Sequence, residues 1–296
     1  MTPHDILSRT PKILAHETRE QYFSHGYIGV DALVDQAWLK RLNDVTADFV
    51  EQSRHAPPDD KRFDREPDHN AERPRLRRLH HPLDHHETYW QFAAHGPFAD
   101  IAEDLLGPDV KVHHAKLNFK WSGGGEAVKW HQDIQFWPHT NYDVLTIGVY
   151  LDDVTPDMAP MGVVPGSHAG PLYDLVDDEG KWTGYIRDRD LPSIPLASAE
   201  YLGGPAGSIT VHNCRSVHGS APNLSERCRP LFLVAYAAAD AIPLTELTVD
   251  QKYSETVLRG KASRWPRFDP RPCPLPPNWR RLGGYKSIFA HQRAEG

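Results

Sequence analysis

The tetrapeptide Trp130-His131-Gln132-Asp133 sets an imidazole and a carboxylate two positions apart. On a β-strand such a pair projects to one face, so both groups can bind one ion while Gln132 points away. Chance alone supplies pairs of this kind in a chain with 18 His and 40 Asp plus Glu, and His85-x-Glu87 is another. The first pair gains weight from His218, in the later segment GSITVHNCRSVHGSAPN, which carries a β-like run opened by a glycine. Two histidines and one carboxylate form a facial triad, which leaves positions open on iron(II) for a bidentate cosubstrate and O2. A structural zinc site would close its coordination with four protein ligands, usually including cysteine. Cys214, Cys228 and Cys273 have no spacing that would supply one.

Arg229 follows His218 and precedes the apolar run 231–236. A guanidinium is a planar fork that binds a carboxylate through two charge-assisted hydrogen bonds. The far end of 2-oxoglutarate requires such a partner, and Ser220 offers a hydroxyl beside it. Taken alone, Arg229 also reads as half of a surface ion pair; its place after the third metal ligand is what points to a cosubstrate anchor.

These residues need a scaffold, and the chain divides into a helical front and a β-rich remainder. Thr18 and Gln21 fit a capping box at a helix start and Gly26 fits its end, with a strand at 27–30. Trp38, Leu42, Val45 and Phe49 recur at helical spacing. A third helical region spans about 87–106, with Pro97 at a first turn and Gly107-Pro108 as the stop. From 110 the period becomes two, with β segments at 110–120, 143–151, 161–164, 208–213 and 230–237. Residues 54–74, rich in Asp, Arg, Pro and His, read as a mobile excursion. The charged stretch 169–202 reads as an inserted loop able to cover a site.

Composition bounds the rest. The chain has 296 residues, 39% of them hydrophobic and 25% charged, which suits one elaborated globular domain over 1–296. A net charge of −7 argues against a nucleic-acid or anionic-membrane footprint. The start MTPHDILSRTPKIL lacks the apolar stretch of a secretory signal, and no apolar run is long enough for a bilayer. The expectation is a soluble cytoplasmic protein, monomeric or homodimeric, acting on a small molecule.

Four segments together resemble the phytanoyl-CoA dioxygenase family, including its bacterial ectoine-hydroxylase-like branch: QYFSHGYIGV, WHQDIQFWPHTNYD, VVPGSH at 163–168, and AGSITVHNCRSVHGSAPNLSERCRP. The likeness runs from about 18 to 240, outside the loops 54–74 and 169–202 and the C-terminal tail. It implies a mainly β fold with flanking helices, a double-stranded β-helix of the jelly-roll or cupin type, with a helical part at about 18–106 and a core at about 110–240. It further implies Fe(II) on His131, Asp133 and His218, with 2-oxoglutarate on Arg229 and Ser220. O2 would be the oxidant, and succinate and CO2 would be released on hydroxylation. Relatives that halogenate replace the carboxylate ligand; Asp133 is present here. Where relatives often carry an Asn-Gly turn, this chain has Asp157-Met-Ala-Pro-Met161, which puts the local turn in doubt.

In such enzymes the strand before the His-x-Asp motif lines the cosubstrate site. Here its alternation groups His114, Lys116 and Asn118 on one face, opposite Ala115, Leu117 and Phe119. That polar face meets the pocket, with Lys116 and Asn118 toward the cosubstrate, or it meets water as an edge strand. Gln135, Trp137, His114 and Arg78 are the candidates for substrate contact. Phe136 and Trp137 read as substrate wall or as core, and the basic and histidine-rich run 73–86 reads as an anion-binding surface or as plain surface charge. Two other functions fit the residues less completely: a cupin-type metalloenzyme that does not use 2-oxoglutarate, and a non-catalytic binding protein of the same fold.

Overall fold

The structure is a computed structural model that describes residues 1–122, 126–245, 251–282 and 287–293. Six helices precede the long β region: α1 (Pro3–Leu7), α2 (His16–His25), α3 (Gln36–Ser53), α4 (Pro82–His85), α5 (Glu87–His95) and α6 (Pro97–Leu106). Three strands lie among them, β1 (Tyr27–Val30), β2 (Phe63–Arg65) and β3 (Leu76–His80). The remaining strands are β4 (Val110–Asn118), β5 (Val128–His131), β6 (Val144–Tyr150), β7 (Met161–Val163), β8 (Glu200–Leu202), β9 (Ile209–Asn213), β10 (His218–Ser220), β11 (Leu231–Ala238) and β12 (Val257–Arg259), before a last helix α7 (Ile288–Arg293).

The strands form two antiparallel sheets, the facing walls of a double-stranded β-helix. The larger runs β1-β9-β6-β11-β4-β3-β2, with β12 also on β4, and the smaller runs β5-β10-β7-β8. Central strands β6 and β11 are buried along their whole length, which is why their sequences, VLTIGVY and LFLVAYAA, are almost continuously apolar rather than alternating. Helix α6 packs on β4, β6 and β11 of the large sheet and α3 on β3, while α7 meets β5 of the smaller one. Asp35 caps α3 by accepting from Trp38 N–H at 2.8 Å, and Leu42, Val45 and Phe49 point into the core. Each large apolar side chain so buried contributes about 1.5–3 kcal/mol.

The 87–106 region is two helices, broken at extended Gly96 and restarted by Pro97. Gly26 ends α2 with φ 82°, a left-handed conformation that a Cβ disfavours.

Two expectations are overturned. The capping box is not at Thr18: α2 begins at His16, its cap residue Ala15 makes no side-chain bond, and Thr18 lies inside the helix. Tertiary contacts set that start. Asp104 accepts from the backbone N–H groups of Lys12, Ile13 and Leu14, and buried Arg19 donates to the carbonyls of Ile6, Arg9 and Asp104. The chain's capping box is instead Thr2 with Asp5, at α1. Nor is 54–74 an unanchored excursion. Phe63 is buried and β2 pairs with β3, while Arg77, on β3, reaches Asp64, Glu66 and Glu126. Strand pairing, the buried ring of Phe63 and these ion pairs together hold the segment to the sheet.

Among the described residues, no helix is long and apolar enough to cross a membrane.

Candidate active site

Strands β5 and β10 are paired with His131 directly opposite His218, and their ring centroids lie 4.1 Å apart. The close approach depends on Gly219, where a Cβ would meet the carbonyl oxygen of Val128 at 2.9 Å. β5 ends at His131, and Asp133 opens a single 3-10 turn. The carboxylate therefore reaches the histidines from a turn and not, as strand alternation suggested, from the strand itself. Gln132 does point away: it donates to the carbonyls of Pro171 and Arg215 and accepts from Tyr173 N–H.

Asp133 Oδ1 lies 3.6 Å from His131 Nε2 and 3.8 Å from His218 Nε2. The three side chains offer ligand atoms within 4.8 Å of one another. His131 Nδ1 lies 2.9 Å from Lys129 O and His218 Nδ1 lies 3.0 Å from Ser216 O. A carbonyl can only accept, so each Nδ1 carries the proton and each Nε2 presents its lone pair inward, as a metal ligand must. Burial, with His131 and His212 adding, keeps His218 well below its usual pKa and hence neutral. Burial would raise Asp133, but the charge of Lys116, with a hydrogen bond from His212 Nε2, holds it well below the usual carboxylate range. Two neutral imidazoles and one carboxylate on one side of a cavity are the donor set of a facial iron(II) site.

The same cavity is lined by Arg229 and Ser220. Arg229 and Lys120 exchange backbone hydrogen bonds of 2.9 and 3.2 Å, so their side chains start side by side. Arg229 is 4% exposed. Its Nη1 donates to Ala159 O at 2.6 Å, its guanidinium lies 5.8 Å from the Tyr150 ring centre, and its Nε has no partner among the described residues. Lys120 Nζ bonds Ser220 Oγ at 2.6 Å and Ala221 O. Neither side chain is ion-paired to a carboxylate among the described residues. A buried guanidinium with an unpartnered Nε–H and no counter-charge is costly unless an anion completes it, so this corner fits the far carboxylate of 2-oxoglutarate.

Of the other candidates, His114, Lys116, Asn118, Arg78 and Trp137 all line the cavity. Arg78 stands opposite Asn118 in the β3–β4 register and donates to its Oδ1 at 2.7 Å. It is 4% exposed, so it is not the surface charge that its basic neighbourhood suggested. Gln135 is not brought there: it is buried, does not line the cavity, and donates to Tyr173 O.

Several lining or supporting residues were not anticipated. His212 and Thr146 bond Asp133; their only signal was a polar residue recurring on one side of an apolar strand. Lys120 supports Ser220. His80 and His81, from the histidine-rich run that the sequence did offer as an anion-binding surface, line the wall, His81 in a left-handed conformation at φ 49°. Thr245, Gln251, Trp279 and Ile288 line the cavity from the C-terminal part, which the resemblance left outside. The loop 169–202 contributes no lining residue among the described ones. Its Trp182 packs behind the wall, edge-on to Phe136 at 5.3 Å.

Comparison with known proteins agrees with this geometry. The phytanoyl-CoA dioxygenase family pattern matches residues 22–231. The chain is 30% identical over 280 residues, 94% of its length and 97% of the relative's, to a probable alpha-ketoglutarate-dependent hypophosphite dioxygenase of Stutzerimonas stutzeri. It is 32% identical over 184 residues, 54% of this chain and 67% of the relative, to L-proline trans-4-hydroxylase of Streptomyces griseoviridis. In fold it resembles iron-bound EctD from S. alaskensis, with a TM-score of 0.70 at 20% identity over 86% of this chain and 90% of that one. A donor triad and a buried arginine on one cavity, inside a β-helix, thus coincide with relatives that use alpha-ketoglutarate, and the chain belongs to the phytanoyl-CoA dioxygenase family as an iron(II)- and 2-oxoglutarate-dependent dioxygenase.

Proposed function

We propose that His131, Asp133 and His218 hold the iron and that Arg229, with Ser220 and Lys120, receives the far carboxylate of 2-oxoglutarate. The substrate, in this reading, is a small molecule with an anionic group seated against Arg78 and Lys116. The observation that carries it is the shared cavity: a donor triad at one place, and at another a buried guanidinium with no carboxylate partner among the described residues.

Iron(II) with 2-oxoglutarate and O2 supplies the oxidising chemistry, with succinate and CO2 as co-products. The chain's own work is to bind, orient and exclude water. The carbonyls of Lys129 and Ser216 fix the two imidazoles as neutral donors. Phe136, Trp137, Leu231, Leu233, Trp279 and Ile288 make much of the wall apolar. No side-chain general base is required, and Asp133 occupies the position that a halogenating relative leaves open, which favours hydroxylation.

The anionic substrate is supported by charge. Lys116 and Arg78 face the cavity, and Asp133 is the only carboxylate among its described lining residues. Burial pulls His80 down to about 3, with Arg78, His81 and His85 adding, so it offers a neutral hydrogen-bonding edge. The relatives named for hypophosphite and L-proline act on molecules that carry an anionic group.

A succinate-release assay with iron(II), ascorbate and a panel of small acids, amino acids and acyl-CoAs tests the whole reading. Release should depend on iron and rise with an anionic member over its neutral amide or ester. Preference for the neutral analogue would remove the role given to Arg78 and Lys116. Undiminished iron in His131→Ala, Asp133→Ala and His218→Ala would remove the ligand assignment.

A further inference from the structure

A second group of metal-ligating side chains lies behind the cavity wall: His113, His139 and Glu255, with ligand atoms within 4.8 Å of one another. In the β4–β11 pairing, Ala235 faces His114 and Tyr236 faces Val112, so His113 is the extra residue of a β-bulge. A bulge re-aims side chains, and here it breaks the alternation that would send His113 and His114 to opposite faces. Their Nδ1 atoms lie 2.6 Å apart, and the His113 ring turns toward His139, centroid to centroid 4.8 Å.

The unsatisfied atoms face one another. His113 is fully buried and His139 is 3% exposed. The Nε2 atoms of both, and Oε1 of Glu255, have no hydrogen-bond partner among the described residues. His139 Nδ1 lies 2.7 Å from Trp137 O, so it carries the proton and Nε2 presents a bare lone pair. The Nδ1–Nδ1 bond between His113 and His114 needs one proton, and with that proton on His113 its Nε2 is in the same state. Glu255 N–H donates to Val112 O on β4 at 2.8 Å, and the residue sits in a left-handed conformation at φ 63° that is unfavourable for a residue with a side chain. Lys111 occupies its other carboxylate oxygen.

Two imidazole lone pairs and a carboxylate oxygen converging without a donor are repulsive as they stand, and buried acceptors left this way cost free energy. We propose that this cluster is a second divalent-metal site, of the zinc type, with His113 Nε2, His139 Nε2 and Glu255 Oε1 as its three protein ligands and the fourth position left to solvent, as in open zinc sites. Imidazole and carboxylate suit zinc among the first-row ions. Trp137 packs on both rings, at 5.3 and 5.8 Å, and lines the active-site cavity. The ion would therefore brace the substrate wall from behind, independently of the iron ligands.

The test uses the full chain, stripped by chelator and titrated with zinc, with bound metal measured by elemental analysis and affinity by calorimetry. A His131→Ala/His218→Ala variant should still take up one zinc. Adding Glu255→Gln or His139→Gln to that variant should weaken this uptake by roughly tenfold or more, since even outer-shell changes cost about 10–100-fold. Cobalt(II) in place of zinc should give a visible absorption spectrum that the same substitutions abolish. If His139→Gln fails to fold by circular dichroism, Glu255→Gln decides, because its side chain is 37% exposed and the change is isosteric. No zinc bound by the iron-site variant, or zinc bound with affinity indifferent to Glu255→Gln, overturns the site.

Discussion

His212 Nε2 lies 3.3 Å from Asp133 Oδ2, the carboxylate oxygen opposite the one that faces His131 and His218. Thr146 Oγ1 donates to the same Oδ2, also at 3.3 Å. The two oxygens thus have separate tasks: Oδ1 looks toward the metal position and Oδ2 is tethered to strands β9 and β6. His212 is a positioning residue. His212→Ala should weaken iron(II) binding by about 10–100-fold, in line with losses at other groups that orient ligands, while His212→Gln, which keeps a donor, should recover much of it. Anaerobic iron titration decides; equal affinity in wild type and His212→Ala would show that the tether is idle.

Arg229→Ala should raise the 2-oxoglutarate requirement with iron binding nearly intact. Removing one partner of a desolvated charge pair costs about 2–5 kcal/mol, or tens to thousands in affinity. Arg229→Lys keeps the charge without the fork and should fall between. The measurement is a 2-oxoglutarate titration followed by the metal-to-ligand absorbance of the anaerobic complex. An unchanged midpoint in Arg229→Ala would mean that the dicarboxylate lies elsewhere.

Lys120 makes that affinity depend on pH. Burial, with the charge of Arg229 adding, pulls its pKa down to about 6. Above that pH the empty site holds mainly a neutral amine. A bound carboxylate favours the ammonium form and raises the pKa, so binding takes up a proton. The affinity for 2-oxoglutarate should therefore fall as pH rises above about 6, by at most about tenfold per pH unit for one proton. Lys120→Met should flatten the profile. Calorimetry in buffers of differing ionisation enthalpy reads the proton directly, and no uptake in wild type at alkaline pH would exclude Lys120 from the cosubstrate corner.

These cases also show what one sequence can and cannot yield. His131, Asp133 and His218 were readable because their chemistry needs particular residue types at local spacing. That Arg229 and Ser220 line the same cavity was legible from their place soon after His218 in the chain. His212 and Lys120 looked like ordinary strand residues, since their roles come from a pairing across sheets and a reciprocal backbone contact with Arg229. The segment 54–74 lacks an apolar pattern because strand pairing and the ion pairs of Arg77 help to order it, and neither leaves a periodic trace. The bulge at His113 is likewise invisible to a reading that assumes strict alternation. Trp279 and Ile288 lie far along the chain from the other lining residues, and only tertiary folding brings them to the cavity.

The aromatic residues behind the metal position give the last prediction. His131 packs edge-on to Phe136 at 5.8 Å, Phe136 to Trp182 at 5.3 Å, and Trp182 to Trp279 at 5.7 Å, with interplanar angles of 87°, 89° and 83°. Edge-to-face pairs contribute about 0.5–1.5 kcal/mol each beyond their buried area. The series joins the loop 169–202 to the C-terminal segment and both to a metal-site residue. Its two tryptophans should fail differently. Trp182 is buried and does not line the cavity, so Trp182→Ala should destabilise the fold by about 3–5 kcal/mol, as large-to-small core changes do. Its indole N–H has no hydrogen-bond partner among the described residues, so Trp182→Phe loses volume without stranding a partner and should cost much less. Trp279 lines the cavity, so Trp279→Ala should raise KM for the primary substrate more than it lowers kcat, with the 2-oxoglutarate midpoint held. Denaturant unfolding and steady-state kinetics on the same preparations separate the two effects. If Trp279→Ala leaves KM unchanged, the C-terminal segment does not meet the substrate, and if Trp182→Ala costs under about 1 kcal/mol, the ring series is not a structural link.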